Sequence, residues 1–316
     1  MGRFLGIDTS NYTTSAALYN SETGQVWHSK RLLPVKEGQL GLRQSEAVFH
    51  HVQQLPQVVE KLQDEIGGPI GTITAVGVSA RPRDVAGSYM PCFTVGVSVA
   101  RILGQTLAVP VHEFSHQAGH IVAALYSAGR LDLLNEPFLA FHVSGGTTET
   151  VLAQPSGEGL PQIKMVAQTL DLNAGQAVDR VGGMLGLPFP AGPQLEKLAA
   201  QYTGQVRSRP VLKGCNCCLS GIENICKSML QNGEQPEKVA FACLDYIAGT
   251  LDMMCERLLQ AYGNLPVLFA GGVMSNTMIR TRLQNKYHAF FAQPVFSSDN
   301  AAGIAVLAAI NHQGRR

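Results

Sequence analysis

Two stretches of the chain, residues 4–19 and residues 138–153, carry the same pattern. The first is FLGIDTSNYTTSAALY and the second is FLAFHVSGGTTETVLA, with Phe, Leu, Ser, Thr, Thr and Leu at corresponding places. Each predicts an apolar strand, a short Ser/Gly/Thr turn and a second strand, which together form a β-hairpin. Hydroxyls and backbone N–H groups at such a turn can hold phosphate. The repeat therefore predicts a chain built from two related halves.

The length and composition of the chain agree with two such halves. With 316 residues, of which 45% are hydrophobic and 15% charged, the chain is long enough for two compact lobes. Two phosphate-holding hairpins, one in each lobe and facing each other across a central cleft, are the arrangement of actin-like ATPases. We therefore predict an α/β chain of this fold, with lobes over residues 1–133 and 134–298 and a C-terminal helix, residues 299–316, packed back on the first lobe. Two unrelated polar hairpins are the alternative.

Bulk properties exclude several classes of protein. No stretch approaches about 18 uninterrupted apolar residues, so we expect a cytoplasmic protein that makes no membrane contact. A formal net charge of +1 gives no overall field for nucleic acid, and RNA binding would need a local patch or a partner protein. The one cysteine cluster, CNCC at residues 215–218, lacks a second Cys or His pair nearby. It favours buried thiols in a strand over a zinc site.

Two glycine-containing segments predict places where a ligand can approach the backbone. The turn AGGVMSN has no side chain at Gly271 and Gly272, and Asn276 follows as a hydrogen-bonding group for a ribose or a base. In the second segment, Asp179 lies on a predicted helix and Gly192 begins the next one. The carboxylate suits ribose hydroxyls, and an exposed helix carboxylate without a ligand is the alternative.

A pair of histidines predicts a possible metal site. His116 and His120 are four residues apart on a helix predicted from about Ser115, so both imidazoles lie on one face and can reach one ion. Two histidines on an ordinary helix are the alternative. The zinc-protease pattern needs a Glu directly after the first histidine, and Gln117 stands there, which argues against a metallopeptidase. Asp299 precedes an Ala-rich helix, where capping is its simplest role.

Five segments together connect the chain with one family: HQAGH, HVSGGTTE, AGQAVDRVGGMLGLPFPAGPQLEKLA, GGVMSN and SSDNAAGIA. On these segments the chain resembles, from end to end, the tRNA N6-threonylcarbamoyladenosine synthase subunit family, formerly catalogued as O-sialoglycoprotein endopeptidases of peptidase family M22. The resemblance implies one iron or zinc ion held by His116, His120 and Asp299. It also implies that Glu196 is a further acid near the ribose. The adenine-nucleotide contacts that it implies come from His142, Val143, Ser144, Gly145, Gly146, Asp179, Gly192 and Asn276.

The resemblance further implies a reaction and its partners. In the family reaction, the N6 amine of adenosine 37 in tRNA attacks the carbamoyl carbon of threonylcarbamoyl-adenylate, and AMP is released. The bound metal would polarise a ligand oxygen and stabilise the developing negative charge. The implied partners are ATP, AMP or threonylcarbamoyl-AMP, tRNA, and a related actin-like subunit or a second copy bound through the N-terminal lobe.

This chain departs from the family pattern near the reactive end. The first loop has Tyr12-Thr13-Thr14 where the family has an acidic pair followed by Thr, and Arg81-Pro82-Arg83 replaces Gly-Pro-Gly. Glu223 replaces a lysine, Ser-Gly-Gly-Thr-Thr replaces Ser-Gly-Gly-His-Thr, and the segment GQLGLRQSEAVFHH replaces a different family sequence. The ligand-holding residues are kept while those near the substrate change. This pattern predicts a paralogue of the tRNA-modifying enzyme.

These observations support a metal- and nucleotide-binding transferase that moves a threonylcarbamoyl or related carbamoyl group, with poor activity on tRNA. No catalytic residue is assigned. One alternative is carbamoyl transfer to another acceptor, with Arg81 and Arg83 binding an anionic substrate. Another is a non-catalytic, nucleotide-binding scaffold or regulator. A metallopeptidase has the least support, because no Glu base accompanies the histidines.

Overall fold

The structure, a computed structural model, describes residues 2–10, 12–34, 42–156, 161–297 and 301–314. The chain divides into two compact units. Unit 1 consists of Met1–Asn135, Pro155–Gln162 and Val295–Arg316, and unit 2 of Glu136–Gln154 and Ile163–Pro294. The first boundary thus lies between Asn135 and Glu136, whereas the sequence pattern predicted it between residues 133 and 134.

Strands and helices alternate along most of the chain. The strands are β1 (Arg3–Asp8), β2 (Thr13–Asn20), β3 (Gln25–Leu32), β4 (Ala75–Arg81), β5 (Val111–Ser115), β6 (Phe138–Val143), β7 (Thr148–Pro155), β8 (Pro161–Gln168), β9 (Val211–Lys213), β10 (Asn216–Cys218), β11 (Val267–Ala270) and β12 (Ala289–Phe291). The helices are α1 (Gln44–Ile66), α2 (Phe93–Leu107), α3 (His116–Ser127), α4 (Ala174–Met184), α5 (Gly192–Ala199), α6 (Ser220–Gln231), α7 (Pro236–Tyr262), α8 (Thr277–Gln284) and α9 (Ala302–Gly314). Short 3₁₀ turns cover Leu131–Asn135, Gly272–Ser275 and Pro294–Phe296.

The two large sheets repeat one strand order. The unit 1 sheet runs β3-β2-β1-β4-β5, and the second sheet runs β8-β7-β6-β11-β12. β1 is antiparallel to β2 and parallel to β4, and β6 is likewise antiparallel to β7 and parallel to β11. Phe4 pairs with Tyr19 in the first hairpin, and Phe138 pairs with Ala153 in the second. The repeat in the sequence is therefore a repeat in the structure, and the two predicted hairpins are confirmed.

Alternate residues of β1 and β4 face opposite sides of the unit 1 sheet. Gly6 and Gly77 are register partners, and both face α9. A Cβ at Gly6 would lie 2.5 Å from the Ala301 carbonyl oxygen, and one at Gly77 would lie 2.6 Å from that of Ile304. Helix α9 thus lies directly on the backbone of the sheet, which explains the glycines in the strands and the small residues in the helix. On the opposite side of the sheet an apolar cluster packs between the strands and helices α1 and α2. The strands contribute Leu5, Ile7, Val76 and Val78 to it.

Replacing Gly303 in α9 by alanine is expected to lower the free energy of unfolding by about 1–3 kcal/mol. A Cβ there would lie 2.6 Å from the backbone nitrogen of Ala123 and closer still to the carbonyl oxygen of Gly119. The backbone of α3 has no side-chain freedom with which to relieve this overlap, although alanine favours helix formation.

Chemical denaturation measures this effect. Gly183→Ala in α4 is the matched control, because nothing lies within 4 Å of its added carbon. That variant is expected to match the wild type or to gain up to about 1 kcal/mol of helix propensity. Equal stability of the two variants would refute close packing of α9 on α3.

The core of unit 2 forms between its sheet and α7. Phe141, Phe269 and Phe291 are neighbours in the parallel register of β6, β11 and β12. Their rings stack across the sheet with centroid separations of 4.8 and 5.2 Å. The amphipathic segment PEKVAFACLDYIAGTLDMMCERLLQAY predicts a helix over residues 236–262. Helix α7 has these bounds and is buried along most of its length. It packs against α4, α5, α6 and α8, the helices that surround the candidate site.

Several local predictions can be compared with the structure. Ser115 is the N-cap of α3, with its side chain accepting a hydrogen bond from the Ala118 N–H at 3.1 Å. Of the CNCC thiols predicted to be buried in a strand, Cys217 and Cys218 lie on β10, but only Cys217 is fully buried, and its burial raises the pKa of its thiol to about 11. Cys215 lies in the turn before β10 and, like Cys218, is half-buried. Between β11 and α8 the chain first makes the 3₁₀ turn Gly272–Ser275, which the sequence did not predict. No helix in the described ranges has the length and apolarity needed to cross a bilayer.

Candidate nucleotide cavity and histidine pair

Unit 2 contains a cavity of about 420 Å³, within the size range of small-ligand sites. Six of the residues predicted to bind nucleotide line it: Gly145, Asp179, Gly192, Glu196, Gly272 and Asn276. The other lining residues were not predicted, and most of them are apolar: Gly175, Val178, Pro190, Pro193, Leu244, Val273, Ser275 and Ile279. The cavity thus combines an apolar wall with two carboxylates and an amide.

Three polar side chains of this cavity also hold part of its wall. Asn276 caps α8, with its Oδ1 accepting from the Ile279 N–H at 3.0 Å, so its amide NH₂ is the group that can donate to a ligand. Asp179 Oδ1 accepts from the Ala191 N–H at 2.9 Å, directly before α5. Glu196 Oε1 accepts from the backbone N–H of the first residue of α8 at 2.7 Å. The second oxygen of each carboxylate can accept a hydrogen bond from a ribose hydroxyl.

Glycines bring three backbone segments together at the cavity. Gly271 has a φ of +102°, and a Cβ there would lie 2.6 Å from the carbonyl carbon of Val143. A Cβ at Gly175 would lie 2.6 Å from the backbone nitrogen of Gly145. The end of β11, the start of α4 and the β6–β7 turn are therefore in backbone contact. Gly272 faces open space on the cavity side, so a ligand can approach its backbone closely.

The remaining five predicted nucleotide residues do not line the cavity. Val143 is fully buried, and His142 is the register partner of Ala270 between β6 and β11. Ser144 closes the β6–β7 turn, where its N–H donates to the Thr147 carbonyl oxygen at 2.7 Å. Gly271 lies against the backbone of Val143, at the start of the β6–β7 turn. Gly146 lies in the turn itself, where an added Cβ would meet nothing within 4 Å, and its carbonyl oxygen accepts from the Asn173 side chain. As nucleotide contacts, these five stay predictions.

The histidine pair, His116 and His120, lies at the start of α3 in unit 1. Their Nε2 atoms are 2.8 Å apart. His116 Nδ1 is 2.7 Å from Oδ2 of Asp8, a residue that was not predicted from the sequence. Asp8 is 1% exposed and lies at the end of β1. The structure thus joins a buried carboxylate and two imidazoles in one hydrogen-bonded chain.

This arrangement fits a pair of metal ligands. The two Nε2 atoms are close enough together to reach one ion, and a carboxylate behind a ligating imidazole is the usual outer partner of such a ligand. The third predicted ligand, Asp299, lies outside the described residues. Within those residues, no group of three His, Cys, Asp or Glu side chains is close enough to hold an ion. The histidine pair is therefore the part of the predicted metal site that the structure describes.

Two side chains near the changed loops are engaged with neighbours. Thr14 Oγ1 lies 2.8 Å from His51 Nδ1 and donates to Gln54 Oε1 at 3.1 Å, both on α1. Arg81 donates to Oδ1 of Asp84 at 2.6 and 3.0 Å. The predicted role of Arg81 in binding an anionic substrate is thereby weakened, because its guanidinium is already paired.

Two acidic residues in the changed segments also have local partners. Glu46 accepts from the Arg43 N–H at 3.2 Å and caps α1. Glu223 forms an ion pair with Arg180 at 2.8 Å. Glu46 and Glu37 are the acids that could replace the acidic pair missing from the first loop, and Glu37 lies outside the described residues.

Solved structures with the same architecture define the class of this protein. Component A of (R)-2-hydroxyglutaryl-CoA dehydratase from Acidaminococcus fermentans is 14% identical over 100% of both chains, with a TM-score of 0.58. HypF in its phosphate- and nucleotide-bound form is 12% identical over 98% of this chain and 46% of its own, with a TM-score of 0.60. A ROK family glucokinase from Streptomyces griseus, in complex with glucose and AMPPNP, is 13% identical over 98% and 99%, with a TM-score of 0.54. The chain is an α/β protein with the actin-like ATPase fold.

The family follows from a separate comparison of the sequence. Residues 34–306 match the family model described as TsaD, tRNA N6-adenosine threonylcarbamoyltransferase. The match covers most of the chain, and this protein belongs to that family. The resemblance predicted from the five sequence segments is therefore confirmed.

Proposed function

We propose that this protein is a metal- and nucleotide-dependent transferase that moves a threonylcarbamoyl, or a related carbamoyl, group from an adenylate to an acceptor. The observation that carries the proposal is the unit 2 cavity, because six residues predicted from the sequence to bind nucleotide line one cavity of suitable size. Family membership supports the transferase chemistry. The nucleotide-bound forms of HypF and the glucokinase, which share the fold, support a nucleotide as the ligand.

The cavity offers different groups to the two ends of a nucleotide. Gly145 and Gly272 expose backbone, where phosphates can approach without meeting a side chain. Asp179 and Glu196 provide acceptors that suit ribose hydroxyls and repel phosphate. We therefore place the phosphates beside the glycines and the sugar beside the carboxylates.

The proposed transfer forms one carbon–nitrogen bond and breaks one carbon–oxygen bond. The nitrogen of the acceptor amine bonds to the carbamoyl carbon, the bond from that carbon to the phosphate oxygen breaks, AMP leaves with the bonding electrons, and the amine gives up one proton to solvent water. An iron or zinc ion held by His116, His120 and Asp299 would supply a positive charge of the kind that polarises a carbonyl or phosphoryl oxygen. Asp8 holds one of these histidines in place.

A non-catalytic nucleotide-binding regulator is the second candidate function. It is favoured by Thr14, whose hydroxyl is hydrogen bonded to α1, and by the absence of an acidic pair at Tyr12 and Thr13. Incubation of the purified protein with threonylcarbamoyl-adenylate separates the two candidates. AMP release stimulated by an amine acceptor supports the transferase, whereas tight adenylate binding without AMP release supports the regulator.

Asp179→Ala is expected to weaken adenine-nucleotide binding by about 1.5–3 kcal/mol, the contribution of a charged hydrogen bond. Asp179→Asn should show much of this loss while keeping an acceptor for the Ala191 N–H. Titration calorimetry with ATP and AMP measures both variants. The matched control is Glu223→Ala, which removes a carboxylate of unit 2 outside the cavity and should bind like the wild type. Equal affinity of Asp179→Ala and wild type would exclude Asp179 from the site.

A further inference from the structure

We infer that Asp8 is a positioning residue that fixes the proton of His116 on Nδ1 and turns its Nε2 lone pair to the place shared with His120. The inference rests on the proposed metal site. It assigns a role to a residue that belongs to neither the predicted metal ligands nor the predicted nucleotide contacts.

For an ionised Asp8 and a neutral His116, the contact between them assigns the His116 proton to one ring nitrogen. An ionised carboxylate only accepts hydrogen bonds, so with Asp8 Oδ2 at 2.7 Å the His116 Nδ1 must be the donor. The Nε2 of a neutral His116 then has a lone pair and no proton. Because the Nε2 of His120 lies 2.8 Å away, that atom must be the donor in the second hydrogen bond. The Nε2 of His116 can thus bind an ion without losing a proton. For His120 to bind the same ion through its Nε2, its proton must first move to its own Nδ1.

Asp8 is held so that it supports a ligand and does not become one. Its Oδ1 accepts from the Ser10 N–H at 2.8 Å, while its Oδ2 faces His116. Its main chain pairs with Ser15 of β2, whose hydroxyl donates to the Asp8 carbonyl oxygen at 3.4 Å. With a side chain 1% exposed, this carboxylate has little freedom to turn. The pattern is that of an outer carboxylate that orients an imidazole ligand.

The first test reads the protonated nitrogen directly in metal-free protein. Nitrogen NMR of the full chain labelled at histidine should show His116 protonated on Nδ1 and His120 on Nε2. In Asp8→Ala the Nδ1 preference of His116 should be lost, and in Asp8→Glu it should return at least in part. Circular dichroism and the denaturation midpoint identify any variant that fails to fold, in which case Asp8→Asn, of nearly unchanged shape, replaces it.

The second test measures Zn²⁺ affinity by competition with a chromophoric chelator. Asp8→Asn is expected to bind Zn²⁺ about 10–100-fold more weakly than wild type. Asp84→Asn is the matched control, because it removes a carboxylate that bonds to Ser115, next to the histidine pair, and to neither imidazole. It should bind like the wild type.

The outcomes separate this inference from the proposed function. Unchanged Zn²⁺ affinity in a folded Asp8→Asn protein, with His116 still protonated on Nδ1, overturns the role of Asp8 and leaves the metal site standing. Wild-type protein that binds no Zn²⁺, Fe²⁺ or Co²⁺ overturns the metal in the proposed function. The NMR measurement on metal-free protein still decides the role of Asp8 in that case.

Discussion

Replacing both His116 and His120 by alanine is expected to reduce the bound transition metal from one ion per chain to background. The two Nε2 atoms converge on one place, and Asp299 would be the only predicted ligand left. A single carboxylate holds a transition metal far more weakly than a set of three ligands with two imidazoles. Elemental analysis of protein purified without added metal measures the change.

His288→Ala is the control for this experiment. His288 is exposed in unit 2 beside Phe290, and its loss changes the histidine count without touching the pair in unit 1. This variant should keep one ion per chain. Stoichiometric metal in the double variant, with the fold intact, would mean that the ion binds elsewhere.

The second large expected effect is a low rate of tRNA modification. This protein is expected to form threonylcarbamoyladenosine on ordinary tRNA at least 10²-fold more slowly than a family member that carries the acidic pair. A missing general base typically costs about 10²–10⁴ in rate. Tyr12 and Thr13 stand at those positions, and neither side chain supplies a carboxylate that could act as a base. Glu46 is engaged in capping α1, and the net charge of +1 adds no general attraction for a polyanion.

Complementation tests this expectation. Cells depleted of their own synthase receive either this chain or the original enzyme from the same vector, and the modified nucleoside is measured by mass spectrometry. Little or no modified adenosine is expected from this chain. Restoration of normal levels would establish it as an ordinary tRNA-modifying enzyme of the family.

Most of the fold could be predicted because its signals are local or repeated. The hairpins beginning at Phe4 and Phe138 share their residue pattern, and α7 has clear end signals in Pro236 and Gly263. The glycine turn at Gly271 requires a positive φ and backbone contact, both of which favour glycine. Such features depend on a few neighbouring residues, and the sequence displays them.

The parts that were missed depend on contacts between distant segments. Val178, Leu244 and Ile279 form the apolar wall of the cavity, but nothing in their local sequence separates them from other core residues. Asp8 and His116 are 108 positions apart. A general rule could have paired them, because Asp8 ends β1 and His116 directly follows β5, and parallel strands bring their carboxyl ends to one edge. That rule needs the strand order of the sheet, which the local sequence around either residue does not display.

The position of α9 bears on the order in which the protein folds during its synthesis. The sheet of unit 1 is encoded before residue 116, yet the helix that covers Gly6 and Gly77 comes from residues 302–314. The ribosome therefore releases every strand of unit 2 before it releases the cover of unit 1. Domains of many proteins fold in the order of their synthesis, but here the first unit to emerge must be the last to be completed. Nascent chains stalled before α9 would leave the backbone of that sheet open to water and to chaperones.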